Sequence, residues 1–419
     1  MTAIMTGIFA VLLAISTPVG YALIIAAGAA ILWQGGTPTV LAVVKLFQPT
    51  QSFPLLAIPF FILSGSLMMS GTLGQKLVQF AARLVGRFHG GMGQVTVVGS
   101  TIFGGVSGSA VAEASALGSM LIPWQKREGY PPAFAAAVTA SSSTIAGLIP
   151  PSIPLILYST VANASIAKLF SAAVLPGLML AFGMMLVCYF SGRLRNFPRL
   201  TVDKQLTSFG KSVLLALPAL AMPFFIVLLL RAGIATPTEV SVIAVFYALV
   251  VSLAIYRDLT WQRIYQALVS TVTTTGVVML VIAASSLVGH VLITERVPTI
   301  VAQWAQHTLV NAVLIILMMN IIMLVIGMFL DLPAAILLLG PTFVAIGQSI
   351  GMDPIQLGVM ICINLSIGLF TPPIGTTLFI GAVIARVPIG DVVRELWPFY
   401  GVAIAVLALI SYVPALTFY

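Results

Sequence analysis

The sequence predicts an all-α integral membrane protein built as two inverted repeats, each with a re-entrant helical hairpin and a broken transmembrane helix. Three observations carry that prediction: composition, the placement of charge, and a match of the chain to itself. Of the 419 residues, 60% are hydrophobic and only 7% charged, with a mean hydropathy of +1.15. A soluble domain carries charge on roughly a quarter of its positions, and no soluble core explains the deficit. No charged side chain precedes Lys45, and residues 129–167, 264–294, 297–330 and 354–385 are free of Asp, Glu, Lys and Arg. Each of these stretches exceeds the ~20 apolar residues that cross a bilayer.

Charge placement orients the chain. The net charge of +8 and pI near 9.7 invite a nucleic-acid partner. The basic residues form no basic domain, however. They sit in short connectors, as the positive-inside rule describes, so no nucleic acid is expected. With the connector at 193–211 and its five Lys or Arg placed in the cytoplasm, those at 76–87, 126–127, 257–263 and 386–394 fall on the same side. Lys45, Lys168, Arg231 and Arg296 fall outside, a split of 14 to 4 that accounts for all 18. The threading works only if residues 92–124 and 308–348, approximately, each enter and leave by one face. It puts the N-terminus in the cytoplasm and the C-terminus in the periplasm of a bacterial inner membrane. Residues 1–33 lack a basic n-region and are too long for a signal segment, so they read as one retained helix. Cys188 and Cys362 lie alone, without CxxC spacing, and read as buried packing rather than disulfide or metal chemistry.

The self-match is ungapped at an offset of 222. Gly105 falls on Gly327, Gly118 on Gly340, Gly129 on Gly351 and Pro132 on Pro354; Pro150 and Pro151 fall on Pro372 and Pro373, and Pro176 on Pro398. Apolar coincidences are cheap, but Gly and Pro mark places where backbone geometry is constrained. By the threading, the two copies cross the membrane in opposite directions. Inverted repeats with interrupted helices are the architecture of secondary transporters, with binding near the midplane. Each copy also carries an amphipathic arm. In the first, Leu73, Leu77, Phe80, Leu84 and Phe88 form one face while Lys76, Gln79, Arg83 and Arg87 form the other, as in a helix lying on the cytoplasmic leaflet. A counterpart is expected over about residues 296–307.

Non-helical backbone at membrane depth lines a cavity or is buried in protein. Four such places are marked: tips at 104–110 (GGVSGSA) and 329–333 (FLDLP), and breaks at 149–154 (IPPSIP) and 371–377 (TPPIGTT). The offset pairs tip with tip and break with break, around one expected centre. A break frees carbonyls that can coordinate sodium beside Ser and Thr hydroxyls, and the following half-helix presents N–H groups and positive dipole to a carboxylate. Ser107, Ser109, Ser141, Ser142, Ser143 and Thr144 offer hydroxyls in the first copy; Asp331, Asn364, Ser366, Thr371, Thr376 and Thr377 offer polar oxygen in the second. The expected substrate contacts are Gly108, Ser109, Ser152, Gly375, Thr376 and Thr377. The bland alternative for the run at 141–144 is hydrogen bonding back to the helix's own carbonyls. Asp331 at membrane depth costs ~2.5–3.5 kcal/mol on insertion scales, which points to a cation ligand; a helix N-cap ahead of Pro333 is a compatible role. Glu113 is expected to reach water within two turns. The GVSG at 105–108 matches intramembrane serine proteases, but that chemistry needs a histidine base within reach, and His89, His290 and His307 sit at connectors or a span end.

The stretch GGVSGSAVAEASALGSMLIP, then IPPSIP, and later NLSIGLFTPPIGTTLFIG resemble the large membrane subunit of tripartite ATP-independent periplasmic (TRAP) transporters, over essentially the whole chain. The resemblance implies an elevator-type scaffold plus transport domain and sodium-coupled uptake of a small organic acid, such as a C4-dicarboxylate or sialic acid. It also implies a small four-helix membrane partner and a periplasmic substrate-binding protein. Two sodium ions are implied. One would be held by Ser107, Ser109 and the break at Pro150 and Pro151, with Ser142 and Thr144 beside it; the other by Asp331, Asn364, Thr371 and the break at Pro372 and Pro373. Glu113 stands where relatives often have Asp, and Ala345 where another Pro is frequent. The implied division is scaffold and cytoplasmic arm (1–91), first transport half (92–164), scaffold and periplasmic arm (165–307), second transport half (308–388), and a last scaffold helix (389–419). Nothing in this reading is an enzyme. A stand-alone sodium/dicarboxylate symporter is the main alternative; a channel would want polar rings along a pore, which no span shows.

Overall fold

A computed structural model describes residues 1–15, 17–35, 39–69, 71–200, 209–308 and 311–419, and the regular elements among them are all helical. Among the described residues six helices are long and apolar enough to cross a membrane. A bent pair, Val40–Gln51 and Phe53–Met69, meets the same test with a 58° bend. This is a multi-pass membrane protein. The longest helix, Trp261–Thr294, runs about 50 Å at 1.5 Å per residue.

The centre is made of two hairpins and two interrupted helices. Hairpin 1 is Gly91–Ser107 and Ala110–Arg127, followed by broken helix 1, Pro132–Ser142 and Ile153–Ala162. Hairpin 2 is Ala312–Gly327 and Leu332–Ser349, followed by broken helix 2, Pro354–Gly368 and Thr376–Ala385. Helix bounds recur at the offset of 222 in the sequence: Ala110–Arg127 in hairpin 1 falls on Leu332–Ser349 in hairpin 2. Pro132 and Pro354 each open their helix, where a missing N–H costs nothing. Packing is exchanged between the halves. Thr376–Ala385 packs on Pro132–Ser142 and Ala110–Arg127, and Leu332–Ser349 packs on Ile153–Ala162.

Side-chain bonds sort the connectors onto two faces. On one face Tyr130 donates to Pro198 O (2.8 Å), Lys126 Nζ donates to Ala385 O (3.1 Å), Arg195 pairs with Glu395 (2.5 Å), and Thr72 N donates to Asp258. Burial pushes the Tyr130 hydroxyl up to about 12, so it remains a donor at any physiological pH. On the other face Lys168 Nζ lies 4.7 Å from the centroid of the Tyr419 ring, which places the C-terminus there. The Met1 amine lies 3.4 Å from Glu295 Oε1 on that same face. The threading put Met1 opposite residue 296, and the structure corrects it. Residues 1–33 are two helices, Thr2–Ala14 and Val19–Gln34, because Pro18 lacks an N–H and disfavours helix in the residue before it. At about 20 and 24 Å they are shorter than the ~30 Å hydrocarbon core. They pack on each other and, through Ala26, Ala27 and Ala30, on the end of Trp261–Thr294.

The first arm, Leu73–Val85, is helical as expected, but its buried face is rotated. Leu73, Leu77, Val78, Ala81, Ala82 and Val85 are buried, whereas Leu84 and Phe88 are exposed. Small side chains at 81 and 82 let Phe209–Arg231 and Gly91–Ser107 approach, and the larger residues turn outward. The second arm is helical over Val297–Thr308, with the His307 side chain outside the described residues.

A close backbone approach ties hairpin 1 to its neighbour. A Cβ at Gly192, in helix Ile166–Leu194, would stand 2.1 Å from Gly90 N and 2.4 Å from Gly90 Cα. Backbone cannot yield cheaply in a packed interior. Gly192→Ala is expected to cost about 1–3 kcal/mol of stability and so to lower the thermal unfolding midpoint in detergent. Gly276→Ala, whose added Cβ meets nothing within 4 Å, should leave it level or raise it. Equal midpoints for the two variants would contradict this packing.

Candidate functional site

Each hairpin tip rests on the break of the helix that follows it. At the first tip the chain turns at Gly108, with φ +61°, a conformation that glycine adopts without strain. A Cβ there would stand 2.3 Å from Pro151 O. Ser109 caps the second arm, its Oγ accepting from Ala112 N (3.4 Å), while Ser109 N donates to Ser107 Oγ (3.4 Å). Gly104 faces Ala146 Cα, 2.8 Å from a built Cβ, on the 3-10 turn Ser143–Gly147. The two consecutive prolines supply no N–H, so the helix stops, and Ser152 restarts it. Ser152 Oγ donates to Gly147 O (2.6 Å) and accepts from Leu155 N (3.3 Å). Both Pro–Pro bonds are cis.

The second tip repeats the arrangement with glycine against glycine. A Cβ at Gly368 would stand 2.2 Å from Gly327 O. Asp331 begins Leu332–Ser349, with Pro333 in its first turn, but makes no side-chain cap bond. The residue as a whole keeps exposed surface at the tip. Between tip and break lies a cavity of about 20 Å³, lined by Asp331, Gly327, Gly368, Gly375 and Thr376. That space holds about one water or one small ion. The buried Thr376 hydroxyl has no hydrogen-bond partner.

The two breaks meet each other. Thr377 Oγ1 donates within reach of both Ala140 O (3.0 Å) and Leu369 O (2.9 Å), joining broken helix 2 to broken helix 1. The Ser366 hydroxyl lies 3.1 Å from a Cβ built at Gly147 and is buried without a partner. Asn364 is fully buried. Its Nδ2 donates to Asn320 O (3.0 Å) and Oδ1 (2.8 Å), while Asn320 Nδ2 reaches Ser411 Oγ (3.0 Å). This chain of amides anchors hairpin 2 to the last helix.

A larger cavity, about 300 Å³, opens at the first tip. The hairpin contributes Ser107 and Ser109, and the surrounding helices contribute Ser66, Gln266, Ser270 and Thr274. That volume suits a small organic molecule. The last three recur every fourth residue on Trp261–Thr294, which puts them on one helix face. That spacing is visible in the sequence. No histidine lines this cavity among the described residues, and His89 is held by Arg199 at a connector, so the GVSG motif lacks its base.

The structure therefore gathers Ser107 and Ser109 at the larger cavity, with Gly108 packed on Pro151 beside them. It gathers Asp331, Gly375 and Thr376 at the smaller one. Other expected ligands lie elsewhere. Ser141, Ser143 and Thr144 donate to carbonyls three or four residues back, and Thr371 Oγ1 donates to Ile367 O (2.6 Å). Ser142 bonds Ser100 (2.8 Å) inside hairpin 1. Neither Asn364, Thr371 nor the prolines at 372 and 373 line the small cavity. Glu113 does not reach water: it is fully buried in the first turn of the second arm. The tip's descent to meet broken helix 1 carries that turn into the interior.

Comparison with known proteins accords with this architecture. Residues 6–416 match the family model described as "Tripartite ATP-independent periplasmic transporter, DctM component". The chain is 51% identical over its whole length to the uncharacterized protein y4mL of Sinorhizobium fredii, all of which is covered. It is 35% identical, over 89% of this chain and 87% of the other, to the C4-dicarboxylate TRAP transporter large permease protein DctM of Pseudomonas aeruginosa. The crystal structure of the Alcanivorax borkumensis YdaH transporter superposes with a TM-score of 0.65, covering 89% of this chain and 87% of that one, at 13% identity. That last likeness is one of fold. The chain is a transporter permease and not an enzyme, and it belongs to the TRAP transporter family as its large permease, or DctM, component.

Proposed function

We propose that the chain carries out sodium-coupled uptake of a small organic acid across the inner membrane, handed over by a periplasmic binding protein. The observation that carries sodium coupling is the one-ion cavity at the second tip. It combines a carboxylate, an unpartnered hydroxyl and the freed backbone of a helix break, an all-oxygen set that suits a hard cation. A first sodium site is assigned to the matching place in the other copy, at Ser107, Ser109 and the break at Pro150 and Pro151. The cavity of about 300 Å³ beside it is assigned to the substrate, whose carboxylate would meet N–H groups at the start of Ala110–Arg127.

The mechanism follows from what is fixed and what is paired. The two hairpins and two broken helices interlock, so they are taken as one body that moves as an elevator against the remaining spans. The coinciding helix bounds support reading the halves as repeats, and the hairpin ends at opposite faces support their inversion. The face holding the basic connectors at 76–87, 126–127, 193–199, 257–263 and 386–394 is assigned to the cytoplasm. A small four-helix membrane subunit is assigned to the scaffold, where it would widen the part that has to stay still.

Two measurements test this reading. In proteoliposomes holding this chain, the small subunit and the cognate binding protein, an imposed sodium gradient should drive uptake, and a proton gradient in sodium-free buffer should not. Full uptake on protons alone would overturn sodium coupling, and sodium-driven uptake by the isolated chain would favour a stand-alone symporter. Sodium should also raise the unfolding temperature of the purified protein, since a ligand that binds only the folded state stabilises it. Asp331→Asn and Thr376→Val should each raise the half-stabilising sodium concentration about tenfold, a loss of ~1.4 kcal/mol. Unchanged sodium titrations in both would sink the assignment of the second site.

A further inference from the structure

A second large cavity, about 570 Å³, lies near the other end of Trp261–Thr294. Its polar wall comes from the scaffold: Lys45 and Gln48 from the bent pair, Ser285 and His290 from the long helix. Its opposite wall is hairpin 2, at Leu337 and Pro341, with Thr160 from broken helix 1. No acidic side chain lines it among the described residues. Glu295, just past that end of the helix, is engaged by the Met1 amine at 3.4 Å.

This site is built. Ser286 Oγ donates to Lys45 O (2.9 Å), pinning the short helix Thr39–Phe47 to the long one and fixing where Lys45 stands. Lys45 Nζ donates to Gln48 Oε1 (3.1 Å); an ammonium has three donors. Ser285 is only 3% exposed, lines the cavity, and has a hydroxyl without a hydrogen-bond partner. A buried unpaired hydroxyl is costly, and a ligand oxygen would satisfy it. The long helix thus carries two polar cavities, one at Ser270 and one at Ser285. Fifteen residues separate them, about 22 Å along the axis.

We propose that this cavity is a holding site for the carboxylate of the carried organic acid, on the face opposite the basic connectors, used before the acid reaches the first tip. Lys45 supplies the positive charge, and Ser285 and His290 supply donors. Because one wall belongs to hairpin 2, movement of that hairpin would open or close the site. The inference rests on the uptake reading, but its test needs no ion gradient, no binding protein and no turnover. Failure of one is therefore distinguishable from failure of the other.

Gly289 lines the same cavity, and a Cβ there meets nothing within 4 Å, so Gly289→Cys places a thiol in it. The native Cys188 and Cys362 are buried. The variant is purified into phosphatidylcholine nanodiscs and labelled with a charged maleimide, with succinate, gluconate or lactate added in turn. At least one acid should slow labelling about threefold when the site is about two-thirds filled, and dimethyl succinate should not. Adding Lys45→Gln should raise the half-protecting concentration about tenfold while the protein still elutes as a folded species. Protection by none of the acids, equal protection by the ester, or a thiol that never labels would overturn the proposal. Protection seen only when the nanodiscs contain phosphatidylglycerol would overturn it too, since a lipid headgroup would then be the occupant.

Discussion

A polypeptide cannot leave helical geometry inside a membrane without finding partners for the peptide groups it frees. Here the chain does so at the two Pro–Pro breaks as well as at the hairpin tips, and the centre of the molecule is arranged around meeting that demand. At the first break Ser152 spans the gap by bonding Gly147 O, and at the second Thr377 does so by bonding Leu369 O while reaching across to Ala140 O. The hairpin tips cover what remains. They get close enough only because Gly108 meets Pro151, and Gly327 meets Gly368, without a side chain between.

The demand is not met completely, and the remainder is where chemistry is assigned. Thr376 keeps a buried hydroxyl with nothing to bond, on a cavity the size of one ion beside Asp331. The hydroxyl of Ser366 and the Oδ1 of Asn364 are also left over, deeper between the two breaks. An unsatisfied polar atom in such a place is a cost of about 1–3 kcal/mol, which a bound cation would relieve. Coupling of ion to transport then has a physical form. In the proposed reading the ion would complete the second break and hold its tip, and the Thr377 bond to Ala140 O would link that break to broken helix 1, beside the cavity assigned to the organic acid.

Much of this was legible in the sequence, for a specific reason. Gly and Pro act locally, so the tips, the breaks and their repetition could be read from Gly105, Pro150, Gly327 and Pro372 alone. Ser107, Ser109, Asp331 and Thr376 stand out as candidates because they lie at those marks, and the structure places them on the two cavities. What was not legible depends on packing at long range. The arm's apolar residues have helical spacing, but the buried face runs through Leu77, Val78, Ala81 and Ala82 and leaves Leu84 and Phe88 outside. Glu113 looked free to reach water because the sequence does not say how deeply the tip descends. Asn364 donates its amide N–H to Asn320, forty-four residues away, and keeps its Oδ1 free, a partnership that only the packing shows. Two signals were present and missed: Pro18, which divides the first apolar stretch, and the four-residue spacing of Gln266, Ser270 and Thr274.

The central claim is that an ion completes the broken backbone and thereby holds the hairpin against it. Amide hydrogen exchange of the purified protein in nanodiscs, with sodium compared to potassium at equal ionic strength, tests this most directly. Exchange reports opening of individual backbone segments. The account predicts slower exchange in sodium over residues 327–333 and 368–376 together, with the scaffold helix at 261–294 unchanged. Identical exchange of those two segments in sodium and potassium would contradict it.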